Sequence, residues 1–117
     1  MKQVFYVPER GDIVLIADPA TSRARNASPR QEVVVLSPQA YNARAGLAIV
    51  CPIVARVTGY PFEVPLPPDL PRAGAILADQ ATSLDWRAHR AEKSATLPPA
   101  VVDEVLAKLR ALLSQPK

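Results

Sequence analysis

The sequence predicts a mainly β fold, with five to seven short strands closing a small barrel and one helix packed on it at the C-terminal end. Three observations carry that expectation. Residues 33–64 alternate apolar runs with proline and glycine at short, regular intervals. Residues 98–113 hold the one clear helical stripe. With 117 residues, 49% of them apolar, the chain is of a size for one domain, taken as 1–117, with a modest core.

The elements follow in order. Arg10-Gly11-Asp12 is a turn that feeds a nearly all-apolar strand, Ile13 to Ala17. Residues 18–31 are rich in Asp, Pro, Ser, Asn and Arg without periodicity, which predicts a long loop of the functional or disordered kind. Val33 to Leu36 has the β-branched content of a buried strand, and Ser37-Pro38 stops it. Gln39 to Arg44 reads as a short polar turn before Gly46. A second strand, Leu47 to Cys51, is expected to end on Pro52. Gly59-Tyr60-Pro61 opens a third run, Phe62 to Leu66. Four prolines, at 65, 67, 68 and 71, then make an irregular connection to a strand at Ala75 to Ala78. Asp79-Gln80 ends it, Ser83 to Trp86 reads as a helical turn or the start of a strand, and Arg87 to Ala95 alternates weakly.

In the helix, Val101, Val105, Leu109 and Leu112 fall at i, i+4, i+8 and i+11, with Val102, Leu106 and Leu113 beside them. Pro98 and Pro99 suit a first turn, and Thr96 is the expected N-cap. Asp103 and Glu104 near the start and Lys108 and Arg110 near the end match the helix dipole.

Composition narrows the chemistry. No apolar run approaches the ~18 residues that cross a membrane, and the N-terminus lacks the apolar core of a secretory signal. Cys51 is the sole cysteine, so no intrachain disulfide framework exists, which fits a reducing cytoplasm. One His and one Cys, far apart, offer no metal-ligand spacing, and nothing pairs His89 with a particular serine. The four glycines are isolated, so no glycine-rich phosphate loop is present. The net charge is +3 and the pI about 9.4, a mild basic excess. Its distribution is uneven. Arg23, Arg25 and Arg30 lie in a stretch, 19–31, without a carboxylate, and Arg87, His89, Arg90 and Lys93 follow Trp86 against the single acid Glu92. Arginine forks match phosphate oxygens and stack on bases, so both stretches are candidate nucleic-acid contacts.

Several motifs in order resemble the MazF/PemK family of toxin–antitoxin ribonucleases. They are Tyr6-Val7-Pro8, Gly11-Asp12, Asp18-Pro19, Val34-Val35-Leu36-Ser37-Pro38 with Tyr41-Asn42 and Gly46, Pro52, Gly59-Tyr60-Pro61-Phe62-Glu63-Val64, Asp79-Gln80, Ser83 and Trp86-Arg87. The resemblance spans nearly the whole chain. It implies a small SH3-like barrel of the MazF/PemK/CcdB type with a C-terminal helix, usually a homodimer. It further implies metal-independent cleavage of single-stranded RNA to 2′,3′-cyclic phosphate and 5′-hydroxyl ends, without a cofactor. The implied partners are a MazE-like antitoxin, single-stranded RNA, and operator DNA only through the antitoxin complex.

The resemblance also names site positions. The family's catalytic arginine falls on Gln31, with Arg30 one residue earlier, where a one-residue bulge would bring its guanidinium into the same place. The family's threonine two residues after Pro52 falls on Val54. Arg23, Arg25, Val54, Asp79, Gln80, Trp86 and Arg87 are the implied RNA contacts, and Arg30 and Gln31 the implied catalytic pair. Two readings follow: a ribonuclease that uses Arg30 as its cation, or a silent module that binds antitoxin or RNA without cutting. A gyrase poison of the CcdB kind fits poorly, because the chain ends Ser-Gln-Pro-Lys and carries its tryptophan elsewhere.

Overall fold

The computed structural model describes residues 6–17, 30–70 and 73–115. Seven strands form one antiparallel sheet that curls without strictly closing. They are β1 (Asp12–Ile16), β2 (Gln31–Val35), β3 (Ala48–Val54), β4 (Glu63–Pro65), β5 (Ala75–Leu77), β6 (Thr82–Leu84) and β7 (Glu92–Thr96). Two α-helices, α1 (Gln39–Ala45) and α2 (Pro99–Ser114), and a one-turn 3-10 helix complete the described residues. The strand order is β4-β5-β3-β2-β1-β7, with β6 pairing β3.

β1, β2 and β3 lie at the centre because their β-branched runs bury both faces. On β2, Val34 joins a core with Ile13, Cys51, Ile76, Val102 and Val105 beneath α2. Val33 and Val35 point the other way, into a second core with Val14, Val50, Leu84 and Trp86. The period-two alternation of strand side chains thus divides the molecule into two apolar layers.

The structure corrects four local expectations. The segment read as a polar turn is the helix α1. Pro38 precedes it, Gly46 ends it in the left-handed region at φ 72°, and the Gly46 N–H caps the Asn42 carbonyl. Its only buried residue is Asn42, so no apolar stripe announced it. β3 does not stop at Pro52 but runs through it to Val54. Residues 48–50 pair β6 and residues 53–54 pair β5, so Pro52 sits where β3 changes partner and its missing N–H falls in the gap. Thr96 is the last residue of β7, and Pro98 occupies the N-cap of α2 without a side-chain bond. Neither Asp103 nor Arg110 falls in the terminal turns of α2, so the expected dipole match is weak. The helix stripe does face the core through Val102 and Val105, while Leu113 stays 76% exposed.

Candidate functional site

Gln31 begins β2 and pairs with Ile16 of β1. On the other side, β2 pairs with β3 through Val33 and Pro52. Continuing that register by two residues sets Gln31 opposite Val54. The two positions singled out for catalysis therefore meet at one end of the sheet. Both border a cavity of about 370 Å³, together with Arg30 and Glu32. The backbone here is fixed by Gly74 on the neighbouring strand connection. It holds φ +149°, and a Cβ on it would overlap the Val54 carbonyl oxygen.

Arg30 borders the same cavity, but its guanidinium turns toward β7. Its Nη1 pairs with Glu92 Oε1 at 2.8 Å, and its Nη2 donates to the Arg90 carbonyl at 3.1 Å. The bulge that was to move Arg30 into the place of Gln31 is absent. β1 and β2 pair one for one from Ile13–Val34 to Ile16–Gln31, and the register shift lies between β1 and β7. Glu32 is buried and accepts a hydrogen bond from the Ser94 hydroxyl at 3.3 Å.

Asp79 and Gln80 end a one-turn 3-10 helix, Ala78–Gln80. The Tyr60 hydroxyl donates to Asp79 Oδ2, which raises the phenol's pKa, with desolvation and the carboxylate's charge adding to it. Asp79 Oδ1 is buried with no partner among the described residues. Burial, with Asp79 nearby, pushes the Cys51 thiol up to about 12, so it stays a protonated core group. Gln80 is exposed. The Gly59–Val64 motif before it has a folding role that the sequence did not disclose. The Glu63 carboxylate, buried, accepts the backbone N–H groups of Thr58 at 2.8 Å and Gly59 at 2.6 Å.

Trp86 is 4% exposed, and its Nε1 donates to the Asn42 carbonyl at 3.0 Å. It is a wall of the second core, and the Arg87 guanidinium lies 4.8 Å from its ring centroid. A concavity of about 530 Å³ opens between Tyr6, Trp86, Arg87, Arg90 and Ala91. The Tyr6 hydroxyl donates to Asp12, and burial first, then that bond, raises its pKa. Arg23 and Arg25 lie outside the described residues. No cluster of three or more His, Cys, Asp or Glu able to hold a metal occurs among the described residues. Nor is any helix there long and apolar enough to cross a membrane.

Residues 9–113 match the family described as PemK-like, MazF-like toxin of type II toxin-antitoxin system. The chain is 38% identical over 108 residues to the endoribonuclease toxin MazF of Escherichia coli, covering 92% of this chain and 96% of that one. It is 36% identical over 112 residues to the endoribonuclease toxin ChpB of the same organism, with 90% and 93% covered. Among solved structures, a MazE–MazF crystal structure from Deinococcus radiodurans superposes with TM-score 0.84 at 43% identity, covering 96% of this chain and 100% of that one. A mycobacterial endoribonuclease at 18% identity and TM-score 0.74 shares the fold. The chain belongs to the PemK/MazF family of type II toxin–antitoxin toxins.

Proposed function

We propose that this chain is the toxin of a toxin–antitoxin pair and cuts single-stranded RNA at the cavity between Gln31 and Val54. The observation that carries the reading is the convergence on that cavity of Arg30, Gln31 and Glu32 beside Val54. The relatives named endoribonuclease toxins, matched over nine-tenths of their length, support it. In the reaction a ribose 2′-oxygen attacks the adjacent phosphorus. The 2′-O–P bond forms, the P–O5′ bond breaks, and the ends are a 2′,3′-cyclic phosphate and a 5′-hydroxyl. Glu32, the one carboxylate among the described residues that line the cavity, takes the 2′-hydroxyl proton, and the leaving 5′-oxygen gains a proton from water. The Gln31 amide donates to the phosphorane, and Arg30, drawn off Glu92 by the phosphate, supplies the positive charge. Val54 is an apolar wall. Gln80 reads a base edge with its amide, Asp79 orients Tyr60 beside it, and Arg23, Arg25 and Arg87, with Trp86 as support, hold the flanking strand. The reaction needs no metal or other cofactor.

The similarity to MazE–MazF complexes supports a MazE-like antitoxin as protein partner, with operator DNA reached only through that complex. The working form is a cytoplasmic homodimer built from a single domain.

A second reading has its own observation. Arg30 is neutralised by Glu92, while Gln31 lacks charge and Val54 lacks a hydroxyl, which suits a silent binding module. One experiment separates the two. Purified chain is incubated with RNA in chelator, and the ends are mapped. Cleavage to 5′-hydroxyl ends, reduced about a hundredfold by Arg30→Ala, is expected. Intact RNA in the presence of folded protein would rule out the ribonuclease and leave the silent module.

A further inference from the structure

We propose that Arg87 and Arg90 form a phosphate subsite for RNA beyond the cutting position, in the concavity walled by Tyr6 and Trp86. The inference rests on the reading that RNA is the ligand, and it concerns binding rather than cleavage. Four observations carry it.

The first is the cavity itself. Its volume of about 530 Å³ lies within the ~300–1,000 Å³ of small-ligand sites, and its walls are already fixed. Trp86 is held by Asn42, and Tyr6 by Asp12.

The second is charge accounting. Arg30 is paired with Glu92, and Lys93 lies 3.5 Å from Asp12. Arg87 and Arg90 make no ion pair within the described residues. Arg87 is instead placed by the face of Trp86. Two guanidinium groups left for an external anion match phosphate oxygens in geometry and charge.

The third is the backbone. Arg90 holds φ +53°, a region that side-chain-bearing residues rarely enter. The turn that imposes it is tightly bonded. Asp85 accepts the N–H of Ala88 through its carboxylate at 3.0 Å and that of His89 through its carbonyl at 3.0 Å. The Arg90 N–H bonds Arg87 O at 3.0 Å, and the Ala91 N–H bonds Trp86 O at 2.9 Å. A position suited to glycine thus carries a long cation on the rim of a cavity, and such strain clusters at ligand sites.

The fourth selects a polymer over a free anion. Arg30, a residue lining the Gln31–Val54 cavity, reaches across with its guanidinium to donate to the carbonyl of Arg90, which borders this one. One hydrogen bond thus joins a lining residue of each cavity, which sets the two within reach of one strand.

The test uses the full chain and a fluorescent single-stranded oligonucleotide with 2′-O-methyl groups throughout, which binds but cannot be cut. Anisotropy is measured across a salt series for the parent, Arg90→Gly and Arg87→Ala. Glycine suits the left-handed backbone, so Arg90→Gly removes the side chain without damaging the turn. Each variant is expected to bind about tenfold more weakly. Each should also lower the slope of log affinity against log salt by about 0.7, the value for one phosphate contact on a single strand. Unchanged affinity and slope in both variants would overturn the subsite, as would weaker binding with an unchanged slope. So would loss confined to an acidic peptide probe, which would assign the cations to a protein partner. Cleavage is scored separately on the ribose form. A parent that binds with these slopes but does not cut keeps the subsite and loses the ribonuclease. A parent that cuts while both variants bind normally does the reverse.

Discussion

Asn42→Ala should destabilise the fold by about 3 kcal/mol, a large share of the ~5–15 kcal/mol that holds a domain together. Asn42 is 0% exposed, so no solvent can replace its bonds. Its Nδ2 donates to the Pro8 carbonyl at 2.8 Å and the Ser37 carbonyl at 3.0 Å. Its Oδ1 accepts from the Ser37 hydroxyl, whose oxygen in turn accepts the Ile49 N–H at 2.8 Å. One side chain thus ties the strand before α1, the start of β3 and the N-terminal segment. Truncation leaves two carbonyls and a hydroxyl without that partner, each costing ~1 kcal/mol or more. The assay is urea unfolding followed by the fluorescence of Trp86, the only tryptophan, which is bonded to the Asn42 carbonyl. With a slope of ~1–3 kcal/mol per molar urea, the midpoint should fall by roughly 1–3 M with the slope unchanged. Ser37→Ala in the Asn42→Ala background should cost less than it does alone, because the pair shares one network. A midpoint shift below ~0.3 M, or full additivity of the two substitutions, would refute the network.

Two further outcomes follow from the core. Gly74→Ala should cost ~1–3 kcal/mol in the same urea assay, because its Cβ meets the Val54 carbonyl oxygen and the backbone must move; stability within ~0.5 kcal/mol of the parent would mean that the contact yields easily. Cys51 keeps its proton in the fold up to about pH 12, whereas an unfolded thiol releases it from its ordinary value near 9. That contribution is whole below pH 9 and fades as pH rises from 9 toward 12, so the parent should lose more stability than Cys51→Ala between pH 7.5 and 10. Rapid reaction of the folded protein with a thiol reagent at pH 8 would contradict it.

The legible parts of the fold were those whose signal is local. The β2 run and the α2 stripe bury apolar side chains at fixed periods, and the periods alone place them. α1 escaped because its single buried residue is an amide, although Pro38 before it and Gly46 after it were visible punctuation. Pro52 misled because a proline ends a strand only where the neighbour on its N–H side needs that donor, and the change of partner along β3 is a tertiary fact. The site was half legible. Gln31 and Val54 could be named by position, and the sheet register brings them face to face. The ion pair of Arg30 with Glu92 joins residues far apart in sequence, across a strand order that only the folded sheet reveals.

The motif residues that identify the family serve the fold more than the chemistry. Ser37 and Asn42 close a buried network, Glu63 accepts the N–H groups of its own loop, and Asp12 receives Tyr6 and the Glu9 N–H. Buried polar groups are costly when unpaired, so changing one member penalises the others. Gln31 and Val54 stand under no such constraint. Gln31 is exposed at the end of β2, and Val54 is half-buried at the end of β3. A substitution at either leaves the hydrogen-bonded network untouched. A kept barrel is therefore compatible with a changed cleft, because the reaction depends on a few positions that can change at little cost to stability. The ribonuclease question turns on those positions, and above all on whether an RNA phosphate competes with Glu92 for Arg30.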